Sequence, residues 1–354
     1  MGGNMSVFLA SCYPPNAAHY LAEVYPSSPK WSADQIGDLT GKVVLVTGPS
    51  ALSLRTRPNA PSVGANTGIG YASAFQLAKH GAKVYAAARS KEKGSTAVDK
   101  MNADLAQAAG PLKPGQVVFL QLDLVDLHNV KRAADEFLSK EDSLHVLLNS
   151  AGIMTPPKGS QTESGIELQF ATNVLGHYAL TRYLLPVLLR TAAAAPDGTV
   201  RVVNVASLAT AMAPAGGIHF DNLAGAMNWG FGVYGQSKMG NVVFANELAR
   251  RYTDAGIISV SLNPGNLQTD LWRHQRSFFD LKTVIHKYPI EYGMLTQLYA
   301  ATAPEVTRAD SGAYFVPWAR RGPVLRKEAH DPVLGARLWE WCEGEMRRAG
   351  VEVP

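Results

Sequence analysis

An α/β fold with a doubly wound parallel sheet is predicted by three features of the 354-residue sequence. Short β-branched and apolar runs alternate with stretches of helical periodicity over most of the chain. The first run, Val43-Val44-Leu45-Val46, is of the kind that forms a strand buried on both faces. Repeated βα units need right-handed crossovers, which leave helices on both faces of one sheet. No internal repeat competes with this reading.

The elements follow in order. Residues 1–38 are rich in Pro, Ser, Asn and Ala with little periodicity, and they are expected to form a loosely structured arm. Order begins at Leu39-Thr40-Gly41-Lys42 and enters the first strand. Helices are predicted over 68–80, 91–109, 127–139, 163–193 and 232–253. Strands are predicted over 83–88, 116–122, 144–148, 200–205 and 257–262. Residues 266–288 break the rhythm with Leu267, Leu271, Trp272, Phe278, Phe279 and Leu281 among basic residues. They read either as a substrate lid or as a surface helix pair. Residues 326–354 form a tail whose 332–348 stretch is an amphipathic closing helix. Its Trp339 and Trp341 suit a core or an interface.

Composition excludes several classes. The net charge is only +4 and hydrophobic residues make up 46%, so wholesale disorder and a nucleic-acid partner are not supported. No apolar run approaches the ~18 residues of a membrane span. Two cysteines, Cys12 and Cys342, do not make a disulfide framework and suit a reducing, cytoplasmic setting. The N-terminus lacks a basic region before its short apolar patch, so a secretory signal is not expected. Nothing in the sequence calls for a metal.

One segment carries chemistry. Tyr234-Gly235-Gln236-Ser237-Lys238 is Tyr-x-x-x-Lys on a predicted helix. A spacing of four puts both side chains on one face, one turn apart. A nearby ammonium favours the phenolate, so the Tyr234 pKa is expected to fall towards the range where it can pass a proton. Alone the pattern is common, and a surface lysine stacked on a tyrosine would explain it. Its context is more specific. Ser207 ends Val203-Asn204-Val205-Ala206-Ser207, Asn149-Ser150-Ala151-Gly152 follows another strand, Asn173 lies in a long helix, and Asn263-Pro264-Gly265 follows a later strand.

This set, in this order, resembles the short-chain dehydrogenase/reductase family over about residues 39–320. The segments 218–223 and 238–244 look like its retinol-dehydrogenase-type branch, which includes the WW-domain oxidoreductase. No WW domain is visible, since the first 38 residues hold one Trp, Trp31. The resemblance implies a single Rossmann-type domain over 39–325 with about seven strands. It implies an oxidoreductase that moves a hydride between a nicotinamide and a carbonyl or secondary alcohol. Tyr234 would be the general acid or base, Ser207 would bind the reacting oxygen, and Lys238 would hold the nicotinamide ribose. Asn173 would anchor a water relay to Lys238. Each has a plainer reading: Ser207 could cap a strand end, and Asn173 could satisfy a helix break. Family members commonly pair, so a homo-oligomer is plausible. The apolar content of 266–288, with Met212 and Trp229, suggests a lipophilic substrate.

The cofactor expected is NADP. Where a carboxylate would take the ribose 2′-hydroxyl of NAD, the second strand ends in Arg89-Ser90, which suits a 2′-phosphate. The plainer reading of Arg89 is a solvated charge at a helix start. By the same resemblance, Asp123 and Leu124 meet the adenine, and Asn149, Ala151 and Gly152 line its ribose. Pro264, Gly265 and Thr269 belong to the nicotinamide end.

The phosphate loop departs from the family pattern. Thr47-Gly48 and Ala65-Asn66-Thr67-Gly68-Ile69-Gly70 are present, but sixteen residues, 49–64, separate them. Without these the chain reads VTGANTGIG, in which Gly48, Asn66, Thr67, Gly68, Ile69 and Gly70 would cradle the pyrophosphate at a helix N-terminus. Three readings compete. The insert is translated non-coding sequence, a tolerated loop, or an insertion that disables cofactor binding. The first is favoured, because excision restores the pattern in frame. The last would make the chain a non-catalytic nucleotide-binding or interaction protein, the alternative from another functional class.

Overall fold

The computed structural model describes residues 14–48, 68–108, 110–223, 231–267, 288–324 and 326–354. Eight strands form one sheet. They are β1 Val43–Thr47, β2 Lys83–Ala88, β3 Gln116–Gln121, β4 Val146–Asn149, β5 Val200–Val205, β6 Ile257–Leu262, β7 Tyr314–Val316 and β8 Arg320–Gly322. Their order is β3-β2-β1-β4-β5-β6-β7-β8, and all pairs are parallel except β7 with β8. Leu45 of β1 lies opposite Tyr85 on one side and Leu147 on the other. The chain therefore winds outward from β1 and then restarts on its other side. The crevice at the carboxyl ends of β1 and β4 is where such sheets take ligands.

Among the described residues, eight α-helices longer than one turn surround the sheet: α1 Pro14–Val24, α2 Ile69–Lys79, α3 Lys91–Gln107, α4 Leu127–Leu138, α5 Gly176–Ala194, α6 Phe231–Tyr252, α7 Ile290–Thr302 and α8 Pro332–Arg348. Side-chain alternation along the strands divides the core. Val43, Leu45, Tyr85 and Ala87 face one layer, with residues of α4, α5, α6 and α8. Val44, Val46, Val84 and Ala86 face the other, with residues of α2, α3 and α7. A strand buried on both faces is mainly apolar on both, which is why β1 reads as a near-continuous run. Each fully buried aliphatic side chain such as Leu45 contributes roughly 1.5–3 kcal/mol relative to exposure.

Helix starts follow capping chemistry. Ser90 accepts from Lys93 N at 3.3 Å and opens α3. Asp126 accepts from Asn129 N at 3.0 Å and opens α4. Asp331 accepts from Val333 N at 2.8 Å, and Pro332 takes the first helical position of α8.

Three expectations change. The sheet has eight strands rather than about seven. β7 and β8 are three residues each, too short to show a period. The helix expected over 163–193 begins as a single turn, Leu168–Phe170. It passes through a π-helical stretch, Ala171–Leu175, before α5. The loosely structured arm is not so over its described part. Residues 14–24 form α1, and Trp31, Ala33 and Ile36 are buried in the layer of α2, α3 and α7. Apolar anchors spaced along an irregular segment carry no period, so the sequence concealed them. The closing helix α8 keeps its expected bounds, and Leu338, Trp339, Cys342 and Met346 complete the other layer. Trp339 meets Tyr178 edge-on at 5.0 Å. The insertion 49–64 and most of the expected lid, 268–287, lie outside the described residues. No described helix is long and apolar enough to cross a membrane.

Candidate active site

Ser207 follows β5 and caps a short 3-10 turn, Leu208–Met212, by accepting from Ala209 N at 3.1 Å. Its hydroxyl also hydrogen-bonds the Tyr234 phenol. The capping reading and the site reading of Ser207 are thus both satisfied. One turn along α6, Lys238 is buried with its ammonium 5.8 Å from the Tyr234 ring centre. It donates to Val205 O at 2.9 Å, the one acceptor that the described residues give it. An ammonium has three donors, so two point elsewhere.

Asn173 sits in the π-helical stretch, a distortion that helices keep at functional sites. Its amide oxygen accepts from Ile153 N at 2.9 Å, and its nitrogen donates to Ser237 Oγ at 2.9 Å. Gly152 fills the space between Asn173 and Lys238. A methyl there would lie 3.2 Å from Asn173 Oδ1 and 3.4 Å from Lys238 Nζ. Ser207, Tyr234, Lys238, Asn173 and Gly152 therefore converge at the carboxyl edge of β4 and β5.

The dinucleotide crevice lies alongside. Gly48 has a φ of +86°, and a methyl on it would lie 2.8 Å from Ala151 Cα, so no side chain fits. Thr47 Oγ1 accepts from Ser150 N at 3.0 Å and Ala151 N at 2.9 Å. Gly68 opens α2, with Ile69 and Gly70 in its first turn. Gly48 N donates to Ala87 O at 2.9 Å, which brings the end of β2 and its Arg89 beside this turn. Arg89 is exposed, with no ion pair among the described residues, and Ser90 caps α3. Asp123 and Leu124 follow β3. Asp123 accepts from Val125 N at 3.1 Å, and Leu124 O lies against Gly176. Pro264 and Gly265 follow β6, Gly265 with a φ of +90°.

Residues 60–278 match the family described as short chain dehydrogenase. This chain belongs to that family. A short-chain dehydrogenase/reductase of Armillaria gallica is 45% identical over 332 residues, covering 93% of this chain and 97% of its own. An uncharacterized oxidoreductase of Schizosaccharomyces pombe is 41% identical and covers 89% and 88%. The crystal structure of an uncharacterized protein from Mycobacterium paratuberculosis superposes with a TM-score of 0.64 at 29% identity, over 92% of this chain and 99% of its own. As a short-chain dehydrogenase, the chain is an oxidoreductase of a family that binds NAD or NADP. The non-catalytic alternative has no support among these matches.

The electrostatics of this dehydrogenase site differ from the sequence expectation. Tyr234 is not lowered. Burial pushes its phenol up to about 12, and the Ser207 hydrogen bond pulls the other way. Burial also brings Lys238 down to about 7. Withdrawal from water is the leading cause in both, because each charged form loses its hydration. Asn149 ends β4 with part of its side chain already committed. Its amide nitrogen is spent inside the fold, on Asn204 Oδ1 at 2.9 Å and Thr181 Oγ1 at 3.2 Å. Asn66, Thr67 and Thr269 lie outside the described residues.

Three supporting residues escaped the sequence reading. His177 is buried between Thr47 Oγ1, 2.8 Å from Nε2, and Asn173 O, 3.0 Å from Nδ1. A carbonyl only accepts, so Nδ1 carries the proton and Nε2 receives the Thr47 hydroxyl. Gln297 of α7 donates to Ile69 O at 3.0 Å and accepts from Ser150 Oγ at 3.2 Å, joining the start of α2 to the loop after β4. Glu23 of α1 is buried against Asn263. His177 stands four residues after Asn173, a spacing that could have flagged it; Gln297 and Glu23 leave no local signal.

Proposed function

We propose that the chain is an NADP(H)-dependent oxidoreductase acting on a carbonyl or secondary alcohol of a lipophilic small molecule. The observation that carries this is the convergence of the half-buried Ser207 with the buried Tyr234 and Lys238 at the carboxyl edge of the sheet. The residues fit a dinucleotide. Gly48 leaves no side chain in the turn after β1, and Gly68 places a helix N-terminus beside it. Arg89 supports the 2′-phosphate form, since it stands exposed and without an ion pair among the described residues. Lys238 keeps two donors for a ribose. When bound, the cofactor supplies or accepts the hydride.

Ser207 would hold the reacting oxygen. Its oxygen accepts from Ala209 N and its hydroxyl meets the Tyr234 phenol, so the two hydroxyls stand together where that oxygen would sit. Tyr234, at about 12, keeps its proton at neutral pH and can hand it to that oxygen as a carbonyl is reduced. Lys238, at about 7, can exchange a proton in the same range. Met154 and Ala209 are buried against Tyr234, and Met212 flanks them, which supports an apolar substrate. The segments 218–223 and 238–244 support the retinol-dehydrogenase-type branch.

Fluorescence titration with NADPH and NADH tests the cofactor. NADPH is expected to bind more tightly, and Arg89→Ala to weaken NADPH by about tenfold or more while leaving NADH unchanged. Equal affinities in wild type and variant would rule out the NADP assignment. Tyr234→Phe is expected to retain NADPH binding but lose ~10²–10⁴ in turnover of apolar ketones. Full turnover by that variant would remove Tyr234 from the chemistry.

A further inference from the structure

The helix α1 reaches the active-site edge of the sheet from the far end of the sequence. Glu23 is 2% exposed, and its Oε2 accepts from Asn263 Nδ2 at 2.7 Å. The other face of the same amide is also used, because Asn263 Oδ1 accepts from Gly265 N at 3.0 Å. A carboxylate or carboxyl oxygen facing the amide selects its nitrogen, so the amide oxygen must turn towards Gly265. Glu23 thereby fixes which way Asn263 points, and Asn263 closes the turn after β6.

That turn stands next to the reacting groups. Ala206 N donates to Leu262 O at 2.7 Å, which sets Asn263 beside Ser207. Tyr314 of β7 interacts electrostatically with both Glu23 and Tyr234. Gly265, at a φ of +90°, lies so close to Trp318 that a methyl on it would be 2.7 Å from the ring. Val24 packs with Leu208 and Ala211, the residues just after Ser207, and Ser27 accepts from Arg320 at 3.0 Å. Burial raises the Glu23 carboxyl to about 7, while the Asn263 hydrogen bond and Arg320 pull the other way. A buried carboxyl group is costly, and a hydrophobic residue would pack the helix as well.

We propose that Glu23 is a positioning residue of the active site, orienting Asn263 so that the Asn263–Gly265 turn holds the nicotinamide half of the cofactor. The proposal rests on the cofactor reading above. It predicts a split between the two halves of the ligand, since Arg89 and the adenine end lie on the far side of β1.

The test compares full-length wild type, Glu23→Leu and Glu23→Gln. NADPH is titrated by fluorescence and 2′,5′-ADP, which lacks the nicotinamide half, by calorimetry. Glu23→Leu is expected to bind NADPH about tenfold more weakly and 2′,5′-ADP as wild type does. Glu23→Gln keeps an acceptor for Asn263 and is expected to restore NADPH binding. Unchanged NADPH affinity in Glu23→Leu overturns the proposal. Equal weakening of both ligands overturns it too, because that marks a general loosening. Should Glu23→Leu not fold, Asn263→Ala cuts the same link from the other side and must show the same split; wild-type affinity there overturns the proposal. If wild type binds neither ligand, the cofactor reading fails, and the role of Glu23 fails with it.

Discussion

His177 shows how a single ring can join three segments. Ser150 and Ala151 donate to Thr47, Thr47 donates to Nε2, and Nδ1 donates to Asn173 O. The end of β1, the loop after β4 and the π-helical stretch thus share one buried chain of hydrogen bonds. Burial lowers the His177 pKa from 6.5 to about 4. Between those values the unfolded chain binds a proton that the folded chain refuses. Stability from this group is therefore full above pH 6.5 and is lost as pH falls through 4, by roughly 3 kcal/mol. Glu23, raised to about 7, works in the opposite sense between 4.5 and 7. Urea unfolding of wild type and His177→Gln at each pH separates them. The gap between the two proteins is expected to shrink steadily from pH 7 to pH 4. A constant gap would show that His177 does not titrate in this way.

At the scale of elements, the ends of β1 and α2 are both in place on either side of the inserted segment. Thr47 and Gly48 are pinned to Ser150 and Ala151, and Gln297 pins Ile69 to Ser150. The two flanks of the turn are therefore held by groups from elsewhere in the fold. A shorter connection adds an entropic advantage on the order of 1 kcal/mol, because closure entropy grows slowly with length. Removal of residues 49–64 is expected to tighten NADPH binding several-fold, read by the same titration. Equal dissociation constants would contradict this. The sequence made much of this scale legible. β1, β2, β5 and β6 appear within a residue of their predicted bounds, because strands buried on both faces read as short runs rich in apolar and β-branched residues. Ser207, Tyr234 and Lys238 were legible because each belongs to a local motif. β7 and β8 were not, being shorter than any period. The pairing of Glu23 with Asn263 was not, since a hydrogen bond across 240 residues has no spacing to recognise.

The whole molecule divides its labour between the two ends of the sheet. The candidate site residues gather at the carboxyl ends, and at the amino ends a buried cation holds elements together. Arg201, at the start of β5, is buried and donates to Gly198 O at 3.0 Å, Ala300 O at 3.2 Å and Val306 O at 3.1 Å. One guanidinium thus ties β5 to the end of α7. Arg201→Met would orphan three carbonyls, at about 1–3 kcal/mol for each that water cannot reach. The expected result is a lower melting temperature with NADPH affinity unchanged, from melting curves and titration of the same sample. A loss of affinity without a loss of stability would contradict the division.

The antiparallel strand β8 ends the sheet with Arg320, Arg321 and Gly322. Arg320 reaches Ser27, and Arg321 reaches Asp310 at 3.1 Å. Three residues with two fixed cations offer a poor template for a foreign strand. The protein's last strand is in effect a selvedge: it finishes the woven edge, so a neighbour's backbone cannot be stitched on there and growth into a continuous ribbon stops at its own border.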